Sequence, residues 1–426
     1  MTQALLDRRD LDFLLFDWLR LDELLVRPRY GDHSRATAEA VLDLSERLAQ
    51  ASFLPALQDS DRHEPQLVDG QVRVAPSVAA AVRRYAEAGL PAGPFEHALG
   101  GMQLPQLLHC ASMAQFMAAS LAISAYPMLA IANARLLVAF GSSAQIEAFA
   151  RPQIAGTALG TMCLSEPQAG SSLADIRSVA LADGEDALGP RYRLRGNKMW
   201  ISGGDHDITR DIVHLVLAKT TAPDGKPLPG VAGISLFVVP KWLPDGQTND
   251  IAVAGLNHKM GYRGTSNCLL NFGEGLHQPD GAVGAIGWRI GAEGAGLAQM
   301  FHMMNEARIS VGLGAAAAGC RSHLLSVDYA RQRIQGRLPQ ADGARPAAII
   351  EHPDVKRMLL TQKAWAEGAL ALTLYAARLL DEQLSGEADA AARAGRLLDL
   401  LTPVVKTWPS EYGPAACDLA IQIHGG

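Results

Sequence analysis

Cysteine is sparse and scattered in this 426-residue chain. The five residues, Cys110, Cys163, Cys268, Cys320 and Cys417, include no Cys-x-x-Cys pair. That spacing argues against a disulfide framework or a cysteine zinc site and reads as reduced, cytoplasmic thiols. No long basic run offsets the formal charge of −6 (38 Lys+Arg against 44 Asp+Glu), which argues against a general nucleic-acid binder. Unbroken apolar stretches are missing too. The longest, residues 121–137, is interrupted by Tyr126, Pro127, Asn133 and Arg135, and reads as a pair of core helices, not a membrane span. The first ten residues carry charges where a signal peptide needs an apolar run. There is no internal repeat and no βαβ alternation, so a doubly wound dinucleotide fold is disfavoured. The one glycine-rich stretch, 291–296, has the wrong spacing and context for it.

What is present suits a large soluble core: 48% hydrophobic residues with 19% charge. The length predicts two or three domains. Residues 1–155 read as nearly all helix, with Leu11, Leu14, Leu15, Trp18 and Leu19 at helical spacing over 5–27 and a polar loop at 58–70. The texture changes near Leu159. Short strand-like runs at 161–164, 192–194, 199–201, 211–218, 233–239 and 267–272 predict an antiparallel barrel or sandwich over 156–290. Asp-Gly pairs at 183–184, 224–225 and 245–246 predict turns. From 291 to 426 the pattern is helical, with a loop at 342–348 and an Ala-rich stretch, 312–320, suited to close helix–helix approach. The fold class is therefore α+β, in the order α, β, α.

The chain is organised around residues 162–172, Met-Cys-Leu-Ser-Glu-Pro-Gln-Ala-Gly-Ser-Ser. A strand-like run ends there in a Pro/Gly turn that carries two small hydroxyls, Ser165 and Ser171. Gly170 removes the side chain that would keep a ligand off the backbone. This suits an extended, polar-edged ligand with a phosphate at one end. On its own, a Ser-rich turn of this kind also arises by chance.

The segment resembles the flavin-binding loop of the acyl-CoA dehydrogenase family. Four further motifs follow in order: Gly-Asn-Lys-Met-Trp-Ile-Ser at 196–202, His-Lys-Met-Gly-Tyr-Arg-Gly-Thr-Ser at 258–266, Tyr-Ala-Arg-Gln-Arg-Ile-Gln-Gly-Arg at 329–337 and Ile-Gln-Ile-His-Gly-Gly at 421–426. Segments 202–207, 303–308 and 352–359 resemble the long subgroup that includes 3-methylmercaptopropionyl-CoA dehydrogenases. The resemblance implies an N-terminal helical domain, a middle β-barrel domain and a C-terminal helical bundle that is incomplete here. It also implies FAD as cofactor and an acyl-CoA as substrate.

Site residues follow from the same resemblance. Ser165 matches the hydroxyl at the flavin's pyrimidine edge, where Thr is usual, with Met162 and Leu164 giving backbone groups and apolar cover. Gly170 and Ser171 match the turn at the pyrophosphate and the substrate entrance. Trp200 and Ser202 match the aromatic wall and the hydroxyl near N5. Ser172 departs from the usual Asp. Arg333 and Gln335 match the reach of a neighbouring subunit to the adenosine half of FAD, and Gln422 and Gly426 its other contact. Read alone, Trp200 is a core aromatic, and Arg331, Arg333 and Arg337 are a solvated helix face. Asn305 and Arg308, at i and i+3, match the acyl-pocket turn.

No catalytic base is assigned within the chain. The residue before Arg308, where some members carry it, is Ala307, and Glu306 sits about 100° round the helix from it. The resemblance places the base beyond Gly426, on the expectation that the sequence is a fragment of a longer protein. The implied reaction is α,β-dehydrogenation of an acyl-CoA. An electron-transfer flavoprotein is the implied acceptor, and the chain would form a homodimer or homotetramer in the cytoplasm. Two alternatives share the fold: an acyl-CoA oxidase, and a nucleic-acid-associated, non-enzymatic flavoprotein, against which the negative charge counts.

Overall fold

The computed structural model describes residues 4–222, 224–340 and 343–426, with the side chains of His302, Met303, Asn305, Glu306 and Gln340 outside the description. The chain divides into two compact units. A helical unit comprises Met1–Ala51, Leu104–Leu121 and Ala307–Gly426, and a mixed unit comprises Ser52–Gln103 and Ala122–Glu306.

The helical unit is built on the helices Arg35–Leu48, Gln106–Ala119, Pro353–Ser385, Ala388–His424 and the greater part of Gly296–Gln332. Arg35–Leu48 starts on a capping box, in which the hydroxyl of Ser34 accepts from the Thr37 amide. Gln106–Ala119 follows Pro105, which offers no side-chain cap. Asp381 substitutes for it from Pro353–Ser385. Its buried carboxylate accepts from the amides of Gln106 (2.7 Å) and Leu107 (2.9 Å) and from Tyr30 Oη (2.7 Å). Gly296–Gln332 and Ala388–His424 approach closely at small residues: a Cβ on Gly312 would lie 2.2 Å from the Val405 carbonyl oxygen.

The described residues of the mixed unit form ten strands: β1 (Gln66–Val68), β2 (Gln71–Arg73), β3 (Ala158–Cys163), β4 (Val179–Asp186), β5 (Gly189–Ser202), β6 (Asp211–Thr220), β7 (Ile234–Pro240), β8 (Ile251–Leu256), β9 (Asn267–Phe272) and β10 (Ala285–Arg289). Two more, β11 (Ile334–Gln340) and β12 (Gly343–Ala348), form a hairpin in the helical unit. Among the described residues, β1 pairs only with β2. In the large sheet, β10, β7, β6, β4 and β5 follow one another, and β5 pairs back to β10, which closes a ring. The far end of the long β5 carries β9 and then β8. Leu194, Ile201, Val216, Phe237, Val239, Leu270 and Phe272 fill the core between them.

Several expectations are corrected. The sheet is not purely antiparallel: β6 pairs in parallel with both β3 and β4, because each pairing joins segments separated by a long connection, not a hairpin. The runs at 192–194 and 199–201 are one strand. Asp183-Gly184 lies at a register shift inside β4, not at a turn. Residues 5–27 are not one helix, since a wide helical turn at Phe13–Trp18 and a left-handed Arg20 (φ 53°) interrupt them. The polar stretch 58–70 is partly the helix Leu54–Arg62 and β1, and 343–348 is β12 instead of a loop. Residues 121–140 form one helix, Leu121–Phe140, and not two. It is long and apolar enough to cross a membrane by composition, yet 78% of its apolar window is buried in the protein.

Candidate functional site

Beyond Cys163 the chain leaves β3 and turns back on itself at Glu166 and Ala169, which exchange amide–carbonyl bonds of 2.8 and 3.0 Å. A buried ion pair anchors this turn. Lys198 Nζ donates to Glu166 Oε1 at 2.9 Å and to the Leu164 carbonyl at 3.0 Å, so it grips the chain on both sides of Ser165. The next residue, Met199, donates its amide to the Ser165 carbonyl at 3.0 Å. Glu166 is saturated by the Arg177 and Ser178 amides and Gln168 Nε2. Burial would push its carboxyl up, but Lys198 and these donors outweigh that and hold it at about 2. Burial pulls the Lys198 ammonium down against the pull of Glu166.

Two residues after Lys198, strand alternation breaks. Lys198 pairs with Leu270 and Ile201 with Cys268, so Met199 and Trp200 together face the single Leu269. This is a β-bulge. Trp200 takes the left-handed conformation at φ 65°, which a bulky side chain adopts only under constraint. The bulge turns its indole outward, 59% exposed, and returns Ile201 to the core. Ser202 then pairs with Asn267 on β9, whose Nδ2 donates to Ser202 Oγ at 3.4 Å.

On the loop, a Cβ at Gly170 would meet nothing within 4 Å, and Ser171 is exposed. Among the described residues, the Ser165 and Ser171 hydroxyls have no hydrogen-bond partner. Packing therefore demands neither the glycine nor the hydroxyls, while an exposed aromatic is held nearby at a conformational cost. Open backbone, unpaired hydroxyls and an outward ring fit a flat cofactor with a polar edge.

The second group lies in the helical unit. Gly296–Gln332 stops before Arg333, and Arg337 sits on β11, donating to the Ala344 carbonyl at 3.0 Å. The three arginines are thus not one helix face. Exposed Arg333 reaches Gln335 Oε1 at 3.3 Å. Tyr329, whose carbonyl accepts the Arg333 amide, stacks on His424 with ring centroids 4.4 Å apart. That contact brings Gln422 and Gly426, both exposed, to the same end of the unit as Arg333 and Gln335.

Asn305 and Glu306 lie on the Gly296–Gln332 helix, with side chains outside the described residues, and Arg308 is half-buried on it. Sequence reasoning missed Lys198, Glu166 and Asn267. A lysine at an inward position of a strand-like run was the available signal, since an unpaired charge is not tolerated there.

One unit is built on a β sheet closed into a ring and the other on long helices, and the sequence and structure comparisons agree on the group. Residues 161–274 match the acyl-CoA dehydrogenase middle domain, and 294–426 the acyl-CoA dehydrogenase C-terminal domain. A 3-methylmercaptopropionyl-CoA dehydrogenase of Ruegeria pomeroyi is 32% identical over 98% of this chain and 69% of its own. A broad-specificity linear acyl-CoA dehydrogenase of Mycobacterium tuberculosis is 33% identical over 98% and 68%. Among solved structures, Caenorhabditis elegans ACDH-11 in complex with C11-CoA superposes with a TM-score of 0.75 at 21% identity, over 98% of this chain and 65% of that one. A Bacillus anthracis acyl-CoA dehydrogenase complexed with FAD gives 0.70 at 21%, over 94% and 61%. The chain belongs to the acyl-CoA dehydrogenase family.

Proposed function

We propose that this protein oxidises an acyl-CoA thioester to the 2,3-enoyl-CoA, using FAD. Trp200 carries the reading: a large aromatic is held outward, in a conformation that costs free energy, directly between the residues that grip and flank an open loop. FAD, when bound, supplies the acceptor for two electrons and a hydrogen. Ser165 and the backbone of Met162 and Leu164 would meet its pyrimidine edge, Trp200 one face of its ring and Ser202 its hydride-accepting nitrogen. Gly170 and Ser171 would lie along the pyrophosphate, with Ser171 also at the substrate entrance. Arg333, with Gln335, Gln422 and Gly426, would serve the adenosine half from a neighbouring subunit, Arg333 giving phosphate a charge-assisted bond.

The substrate carbonyl acidifies the α-hydrogen, which leaves as a proton to a carboxylate. The β-hydrogen leaves as hydride, so carbon loses two electrons. Asn305 and Arg308 are assigned to the acyl pocket, and no residue of the chain is assigned as the base. The substrate class spans 3-methylmercaptopropionyl-CoA and simple acyl-CoAs. A homodimer or homotetramer, cytoplasmic location and an electron-transfer flavoprotein as acceptor complete the proposal.

The test is anaerobic titration of FAD-loaded protein with acyl-CoAs of increasing length and with 3-methylmercaptopropionyl-CoA. Loss of the flavin's visible band with formation of enoyl-CoA is expected for at least one of them. Protein that binds FAD but leaves every thioester unchanged would sink the assignment, and peroxide release in air would mark an oxidase.

A further inference from the structure

Ser202, Asn267 and Asn257 stand in a row across neighbouring strands. The β5–β9 register pairs Ser202 with Asn267. Asn257, one residue beyond β8, donates its amide to the Asn267 carbonyl at 2.8 Å. The side chains continue the row, Asn257 Nδ2 donating to Asn267 Oδ1 at 2.9 Å and Asn267 Nδ2 to Ser202 Oγ at 3.4 Å. Asn257 Nδ2 also faces the Met199 sulfur at 3.6 Å.

This row has a direction. A carboxamide is an acceptor at one end and a donor at the other, and which end is which is read from its partners. Turning Asn257 alone would set its carbonyl oxygen against Asn267 Oδ1, and turning both carboxamides would still set it against the Met199 thioether sulfur, acceptor against acceptor, so the Met199 contact fixes the direction. With Asn257 fixed, the oxygen of Asn267 is occupied and only its NH₂ end faces Ser202. The Ser202 hydroxyl therefore accepts on the protein side, and its one proton remains for a partner on its open side.

We propose that Asn267 is a positioning residue that, held by Asn257, commits the Ser202 proton to the hydride-accepting nitrogen of the flavin. The inference rests on the flavin reading above. Without Asn267 the hydroxyl would rotate freely, since serine lacks the methyl that restricts threonine and no other side chain among the described residues holds it. Both asparagines border a polar cavity of about 180 Å³, which leaves room for substitution.

The experiment loads FAD into Asn267→Leu, Ser202→Ala and the double variant, then measures the flavin's oxidised-to-reduced ratio against a reference dye, together with its visible spectrum. A net hydrogen bond is worth about 0.5–1.5 kcal/mol, or roughly 2- to 12-fold in an equilibrium constant. Both single variants are expected to shift the ratio by that much in the same direction, and the double variant by no more than the larger single one. In a Ser202→Thr background, whose added methyl restricts the hydroxyl, the Asn267→Leu effect should keep its direction and become smaller. Equal effects of Asn267→Leu with and without the Ser202 hydroxyl, or no effect at all, overturn the proposal. If Asn267→Leu does not fold, Asn257→Leu frees the Asn267 amide to turn over and should give the same shift; an unchanged flavin there overturns it as well. Failure of the unsubstituted chain to take up FAD would overturn the flavin reading itself.

Discussion

Lys198 and Glu166 meet at 2.9 Å with side chains 0% and 2% exposed, and they join strand β5 to the loop that follows β3. Removing one partner of such a pair strands a charge in the core, which typically costs 3–5 kcal/mol. Lys198→Met is therefore expected to destabilise the mixed unit by about that amount in denaturant titration. Lys198→Met combined with Glu166→Gln, which removes the charge and keeps one acceptor oxygen for the amides of Arg177 and Ser178, should recover part of the loss, because no charge remains unpaired. If the single and double variants unfold alike, the pair is not what holds the loop.

Trp200 separates stability from binding. A bulky residue in the left-handed region costs on the order of 1–2 kcal/mol, and glycine relieves it at some entropic cost in the unfolded chain. Trp200→Gly is expected to change cofactor-free stability by less than about 1 kcal/mol while weakening FAD binding roughly 10-fold, the worth of a lost ring contact. A large drop in the melting temperature of the cofactor-free protein would show the indole to be a packing residue.

Acid stability should turn on two buried histidines. Burial first, then the charge of Lys241, pushes His206 and His214 down to about 3. His206 lies edge-on to Tyr126, and neither ring nitrogen has a partner among the described residues. Both histidines are neutral in the fold, whereas in the unfolded chain they take up protons below about 6.5. Stability present above that pH is thus lost as pH falls from 6.5 toward 3. Glu166, held at about 2, adds a second loss from about 4.5 downward. His206→Phe keeps a ring against Tyr126 and is expected to flatten the limb between pH 6 and 4 by a few kcal/mol. An unchanged slope in urea titrations across that range would contradict this.

In the helical unit, Asp381→Ala leaves Tyr30 Oη and the amides of Gln106 and Leu107 without their acceptor. At about 1–3 kcal/mol for each orphaned buried group, partly relieved by water, a loss of about 3–5 kcal/mol is expected. Asp381→Asn retains one acceptor oxygen and should cost less. Burial, opposed by these donors, raises the Asp381 carboxyl to about 6. Its ionisation therefore lowers stability as pH rises from about 4 to 6, and neither variant should show that component.

Much of this was legible in the residues. The α, β, α order follows from a change in periodicity near Leu159, and β9 occupies the same residues, 267–272, as a short run read as strand-like between turn residues. The loop, Trp200 and Ser202 stood out because their residue types and motif order need no tertiary contact to be recognised. The bulge did not, since a two-against-one register exists only once β5 meets β9.

Pairing across distance is the common element in what sequence reading missed. Lys198 and Glu166 are 32 residues apart and Asp381 is 275 from the helix start it caps, so no local pattern links them. By itself the sequence determined the α, β, α order, and its motifs marked the residues proposed for the cofactor, because backbone propensity and hydrophobic period act within a few residues. Only the tertiary structure decided that β3 and β4 run parallel to β6, that Trp200 turns outward and that Ser202 is held by an asparagine. Those outcomes depend on which strands and charges meet when the core excludes water, a condition that no stretch of the chain meets alone.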